Sequence, residues 1–532
     1  MTTTSRLGPI PDLQTGAAYL SRLSLANPAL AEQQLLDFLD SLLETPPEAS
    51  VLFTLLEQAR VPLCFVEEER ARLYHNKALA LTEEEEACFA QVVSAWERME
   101  NAYALCARLH HPDENDPAYA TLIATILHRC LYYTGMAILE HYRARREVPK
   151  GVWSDLNGYF DTAEQWGVIY NPVNDSLENN LQATHCAAAY VTVLMIDIAG
   201  PYSNSVRNLN LIRRWAGMWA PLVTLHPLSD ELETPPYIIE LSKDLPIHPA
   251  DSVEEIGADA RRLDTGRLAL QINHMLAQLH QKITPQQLGL GEETSGHVIQ
   301  LLERLSRPWS QTASPRRFRR FRAEGQARVA LGVEAMHYYI SGKEFIQPDA
   351  ASIYSRSDFD ELFTFRDRAI PGQALSFKPH LNFPVEDWAV INHSANGFRL
   401  TRSEAGLRLA HTQLMAICPP DGNQFLLGQA AWLMQEQEGN LVVGMVLLPG
   451  KPEGIGVRTP SAMAGHAERF QRGFLLPPIP AVNEEGSLVI PPELYKASGA
   501  LEVFIDGKSR LVRMKHIRQR GIDFDRITYD PL

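Results

Sequence analysis

The sequence predicts an α+β multidomain protein: an N-terminal all-helical region, then an antiparallel β-barrel, then a small C-terminal β segment. Three observations carry this reading. Apolar residues recur at helical spacing up to about residue 310. Beyond that point the period drops from about 3.6 to about 2, and turn residues come at short intervals. Pro308 and the stretch Ser310–Pro315 separate the two textures with the composition of a linker. The expected organisation is therefore a helical region over 1–310, with room for two subdomains. A barrel over 311–460 follows, and then an accessory β segment over 461–532.

The helical elements follow from local signals. Asn27-Pro28 sets a capping side chain before a proline at the first helical position. Leu35, Leu36, Leu39, Leu42 and Leu43 continue at helical spacing until Pro46-Pro47 ends the segment. Thr82 and Glu85 form a capping box, with Glu83–Glu86 on the positive end of the helix dipole. Phe89, Val93, Trp96, Tyr103 and Cys106 make one apolar stripe, expected to be core although a partner groove has the same pattern. Leu122–Tyr142, Ala183–Ile198 and Leu263–Leu279 are further amphipathic stretches, and no fixed repeat period relates them.

The β elements rest on alternation and turns. Ala327–Ile340 reads as a long β-rich stretch closed by Ser341-Gly342. Trp388–Ile391 and Phe398–Leu400 flank a polar turn. Phe425–Met434 and Leu441–Leu448 form a hairpin across Glu438-Gly439-Asn440. Ser487–Ile490, Leu501–Ile505 and Leu511–Lys515 are short strands, the last two joined by Asp506-Gly507. The C-terminal segment either packs on the barrel or forms a second small one.

Composition narrows the function. A net charge of −15 disfavours a general binder of nucleic acid or acidic membranes. Any anion site is a local basic patch on an acidic chain. The six cysteines include no CxxC pair and fit free thiols in a reducing compartment, with neither zinc nor disulfides. The opening residues lack an apolar signal core. Ala187–Ile196 is too short to span a bilayer and reads as a core helix. A cytoplasmic location without membrane insertion is expected. No HExxH occurs, and Gly507-Lys508-Ser509 lacks the earlier glycine of a phosphate loop, so no catalytic or metal residues are assigned.

Arg316-Arg317-Phe318-Arg319-Arg320-Phe321-Arg322 crowds five arginines into seven residues directly after the linker. A solvated charge run, a nucleic-acid patch and a specific phosphate site all fit that segment taken alone. Asn392-His393-Ser394-Ala395-Asn396-Gly397 connects two β-like stretches. Its Asn and Ser can satisfy a ligand's polar edge or their own turn, and its glycine permits positive φ and close ligand approach.

Together these two pieces resemble the PilZ domain, a bacterial receptor module for cyclic di-GMP. Arg316 and Arg320 match the family's RxxxR motif, while Asn392, Ser394 and Gly397 match its [D/N]xSxxG motif. Leu427–Leu448 is similar to the family's strand with a central Trp, turn, and strand entering through Gly. The motifs lie about 70 residues apart, more than is usual in the family, and the resemblance assigns the excess to an insertion near 345–385. The resemblance covers roughly 314–450. It implies a non-catalytic receptor that binds cyclic di-GMP through Arg316, Arg317, Arg320, Asn392, Ser394 and Gly397, needs no cofactor, and signals to a protein partner through the helical region. Guanidinium groups suit such a ligand because they fork onto phosphate or guanine edges and stack on purines. Alternative readings are a nucleic-acid-binding regulator using the same arginines, disfavoured by the acidity, and a scaffold whose barrel binds no ligand.

Overall fold

The computed structural model describes residues 7–110, 117–177, 183–228, 235–253, 255–311, 320–348, 383–403, 405–460 and 469–532. The chain divides into two compact units. The first comprises Met1–Lys77 and Leu81–Arg316, the second Ala78–Ala80 and Arg317–Leu532.

In the first unit the chain folds as α1 (Leu13–Leu20), α2 (Pro28–Glu44), α3 (Ala49–Ala71), α4 (Glu83–Leu109), α5 (Pro117–Arg143), α6 (Val152–Gln165), α7 (Cys186–Ile198) and α8 (Val206–Trp219). After β1 (Thr224–Pro227), β2 (Tyr237–Glu240), β3 (His248–Pro249) and β4 (Ala260–Asp264) come α9 (Gly266–His280) and α10 (Ser295–Trp309). The caps are the expected ones. The Asn27 side chain accepts from Leu30 N–H, and Thr82 and Glu85 cap each other reciprocally ahead of four glutamates in the first turn of α4. The stripe Phe89–Cys106 is buried in the main core, so α4 spends it on packing. The apolar segment Ala187–Ile196 lies in α7 and is core as well. By length and composition α3 and Ala118–Arg143 of α5 could also cross a membrane, yet the apolar window of the latter is 83% buried.

Arg60 and Arg129 are buried and share Asp175, with Glu57 bonding Arg129 and Tyr103. Such charges are tolerated in a core only when paired in this way. The small sheet, ordered β1-β4-β2-β3, is an addition to the expected all-helical region. Its strands are two to five residues long and interrupted by prolines, too short for a period-2 signal.

The second unit holds two barrels. The first is built from β5 (Phe321–Arg322), β6 (Gln326–Leu331), β7 (Glu386–Ser394), β8 (Gly397–Arg402), β9 (Leu414–Cys418), β10 (Leu426–Gln435) and β11 (Leu441–Leu447), with α11 (Val333–Ser341) between β6 and β7. The pairings run β7-β6-β9-β10-β11-β8 and return to β7, which closes a six-strand antiparallel ring, and β5 adds to the far end of β7. Ala327–Ile340, read as one β-rich stretch, is β6 followed by α11. Gly332 at φ +81° breaks the strand, and Gly342 at φ +70° ends the helix. Within the expected insertion, 349–382 lie outside the described residues. Its described ends are fixed: Gln347 bonds both backbone groups of Phe470, and Phe383 stacks on Tyr338 at 4.7 Å.

The C-terminal segment is the second barrel, with ring order β12-β13-β14-β17-β16-β15. Its strands are β12 (Glu453–Arg458), β13 (Gln471–Leu476), β14 (Ser487–Ile490), β15 (Ala500–Ile505), β16 (Lys508–Arg520) and β17 (Asp525–Pro531). Glu453–Arg458, inside the span expected for the first barrel, thus belongs to the second. Ile455, Leu501 and Ile527 are among the side chains that fill its interior. Strand β9 is buried along its whole length. Its alternate residues Leu414, Ala416 and Cys418 meet α11 and Phe474 of the second barrel, while Ile417 pairs with Val329, which is also buried.

Candidate functional site

Strand β7 carries the polar motif, and a bulge decides where it points. Trp388 and Val390 face the barrel interior, Val390 opposite the fully buried Leu400. Strict alternation would send Asn392 inward as well. The register shifts between Val390 and Asn392, so that Asn392 pairs with Arg399 on the outer face. Ser394 follows on that same face, opposite Gly397. The Ser394 hydroxyl accepts from Asn396 N–H at 3.3 Å and so braces the two-residue turn.

Gly397 is needed for a reason other than the expected one. Its backbone is not left-handed. A Cβ there would lie 2.1 Å from the carbonyl oxygen of Met445, so β8 and β11 approach too closely for any side chain.

The ladder extends this row across the barrel. Arg322 of β5 pairs with Asn392, Asn392 with Arg399, Arg399 with Gly444, and Gly444 with Trp432. Directly paired residues share a face, so these side chains form one outer strip. The Arg399 guanidinium lies 5.6 Å from the Trp432 ring centroid, and Arg399 Nε has no hydrogen-bond partner among the described residues. A Cβ on Gly444 would meet Trp432 Nε1 at 1.9 Å, so glycine makes the bed on which the indole lies. No carboxylate belongs to the strip. On the opposite face Phe321 and Phe398 flank His393, with centroids 5.9 and 6.1 Å away.

Of the six residues picked from the sequence, Asn392, Ser394 and Gly397 come together on the hairpin. Arg320 is exposed and immediately precedes β5, whose partner is the motif strand. Arg316 and Arg317 lie outside the described residues. Arg322, set aside from the motif, sits directly opposite Asn392. Arg399 and Trp432 were missed as site residues. The signal for Arg399 was its place two residues after Gly397 on an alternating strand, which puts both on one face.

Arg402 shows what a structurally committed arginine looks like in the same strand. It is buried against Trp388 at 4.9 Å, pairs with Glu386 at 3.2 Å and donates to the Ser403 carbonyl at 3.1 Å. Glu386 and Asp387 also line a cavity of about 360 Å³ at that end of β7, where their charge disfavours phosphate. The six cysteines are unpaired, and no metal-holding cluster of His, Cys, Asp or Glu occurs among the described residues.

The site is thus a closed antiparallel barrel with Arg322 of its lead strand laid opposite an NxSxxG hairpin. In comparison with known families, residues 14–230, 237–352 and 455–532 match, in order, the models of the cyclic-di-GMP receptor FimW N-terminal domain, its middle PilZ domain, and the FimW C-terminal beta-barrel domain. The chain belongs to the PilZ domain family and carries a long N-terminal helical region. The middle match ends before β7, whereas the third begins within β12. Among curated proteins it is similar to the cyclic-di-GMP receptor FimW of Pseudomonas aeruginosa, at 22% identity over 551 residues, covering 94% of this chain and 86% of that relative. No solved structure matches the chain.

Proposed function

We propose that this protein is a non-catalytic cyclic di-GMP receptor of the cytoplasm. Arg316, Arg317 and Arg320 of the linker clasp the dinucleotide from one side, and Asn392 and Ser394 read it from the hairpin. Gly397 holds the hairpin flat against β11, and Arg399 extends the cationic strip toward Trp432. The observation that supports the reading is the pairing of β5 with β7, which sets Arg322, the last arginine of the cluster, opposite Asn392 of the motif strand. Each charge-assisted bond contributes roughly 1.5–3 kcal/mol. Ordering the linker opposes this by about 1–2 kcal/mol per residue, so micromolar to submicromolar affinity follows. Binding that orders the linker would signal to the helical region and a protein partner there. Free thiols suit a reducing compartment.

Calorimetric titration of the full chain with cyclic di-GMP tests this. Saturable binding that Arg320→Ala and Ser394→Ala each weaken is expected. Absence of heat at tens of micromolar ligand would sink the proposal. Salt-sensitive DNA binding that survives loss of Asn392 and Ser394 would point to the nucleic-acid reading instead.

A further inference from the structure

Helices α5, α7 and α8 of the first unit line a half-open pocket of about 410 Å³, within the range of small-molecule sites. Its two sides differ in chemistry. Met136 and Leu139 of α5, with Val193 and Ile196 of α7, make an apolar wall. Helix α8 faces them with Arg213 and Arg214. The Tyr132 hydroxyl accepts from Arg213 Nη2 at 3.2 Å and links the two sides. Among the described residues both charged groups in the lining are guanidinium, and no carboxylate belongs to it. Glu68, which Arg213 reaches at 3.5 Å, is not part of the lining.

The room comes from small residues. Gly135, Ala189 and Gly217 all face the cavity. Glycine inside a helix costs roughly 1 kcal/mol relative to alanine. Gly135 has a packing reason, since a Cβ there would meet Val193 Cγ2 at 2.6 Å. A ligand with an apolar body and an anionic head matches both sides, its body against the apolar wall and its head at the two guanidinium groups.

We propose that this cavity binds an amphipathic organic anion, its carboxylate or phosphate held by Arg213 and Arg214 and its apolar body lying between α5 and α7. The site is separate from the hairpin of the first barrel and does not depend on the cyclic di-GMP reading.

The test is calorimetric titration of the full chain with decanoate, decyl phosphate and decanol. Saturable binding of both anions at one per chain is expected, with decanol weaker by about tenfold or more, the loss of a charge-assisted bond. Arg214 is exposed, so Arg214→Gln should leave the fold intact and weaken decanoate by about tenfold. Ala189→Leu should fill the space and remove binding, with circular dichroism reporting whether the helices persist. Three results overturn the proposal: no saturable binding to the unaltered chain, equal binding of decanol and decanoate, or Arg214→Gln and a folded Ala189→Leu both binding like the parent. Competition between decanoate and cyclic di-GMP would place both in one site and overturn it too.

Discussion

The two barrels of the second unit share a closed six-strand antiparallel ring and differ in how they use the outer face. On the second barrel three of the six Lys and Arg residues of β16 are answered by acids. Lys515 pairs with Asp530, Arg518 with Glu485, and Arg520 with Asp525. On the first barrel the strip Arg322–Asn392–Arg399 contains no acid, and Arg399 rests on an indole. Glycines are also spent differently. Gly454 of the second barrel leaves space for His337 of α11, a Cβ there meeting its ring nitrogen at 2.9 Å, whereas Gly444 of the first makes room for Trp432. A closed ring supplies the frame in both cases, and side chains on one strip decide whether the frame binds anything.

The sharpest way to break this contrast is binding. Arg320→Ala or Asn392→Ala should lower cyclic di-GMP affinity by about ten- to a hundredfold, the worth of one or two polar contacts to a charged ligand. Arg513→Ala on the second barrel should leave it unchanged in the same titration. An equal loss in all three variants would reduce the strip to bulk electrostatics.

Backbone crowding comes next. Gly397→Ala drives a methyl into the Met445 carbonyl and should destabilise the unit by about 2 kcal/mol or more. Gly507→Ala, strained only by its φ of +74°, should cost about 1 kcal/mol. Denaturant midpoints compare the two, and the reverse order would remove the close-approach argument for Gly397.

The junction of the barrels is pH-sensitive. Burial lowers the pKa of His337 from its ordinary 6.5 to about 4. The unfolded chain therefore takes up a proton that the folded chain resists. Stability from the neutral imidazole is present above about pH 6.5 and is lost as pH falls toward 4. Between pH 7 and 5 the second unit should lose roughly 2 kcal/mol more than a His337→Leu variant does, read from chemical denaturation at each pH. Parallel pH profiles would remove the effect. The smallest change is expected from Lys515→Ala. Its pair with Asp530 is solvent-exposed, so stability should move by less than about 0.5 kcal/mol and ligand affinity not at all.

Much of this molecule is local and was legible as sequence. Caps at Asn27-Pro28 and Thr82–Glu85, the period change near residue 310, the hairpins at Glu438-Gly439-Asn440 and Asp506-Gly507, and the motif residues all depend on neighbours a few positions away. Such signals are complete within one turn of helix or one hairpin. The same locality explains the misreadings. Ala327–Ile340 has β-like composition throughout, and only the positive φ of Gly332 splits it. The strands between Thr224 and Asp264 are too short to carry a pattern of their own.

The sequence by itself determined which residues form the arginine cluster and the hairpin motif, and that a β region follows a helical one. Tertiary structure alone decided their meaning. Closure of the first ring, the allocation of Glu453–Arg458 to the second, and the outward turn of Asn392 are set by pairing between distant strands. A one-residue bulge there reverses every side chain beyond it. Arg399, Gly444 and Trp432 are far apart or unremarked in the chain and become one strip only through register. The pocket beside α8 likewise forms only where three helices meet, because its lining residues lie far apart in the chain.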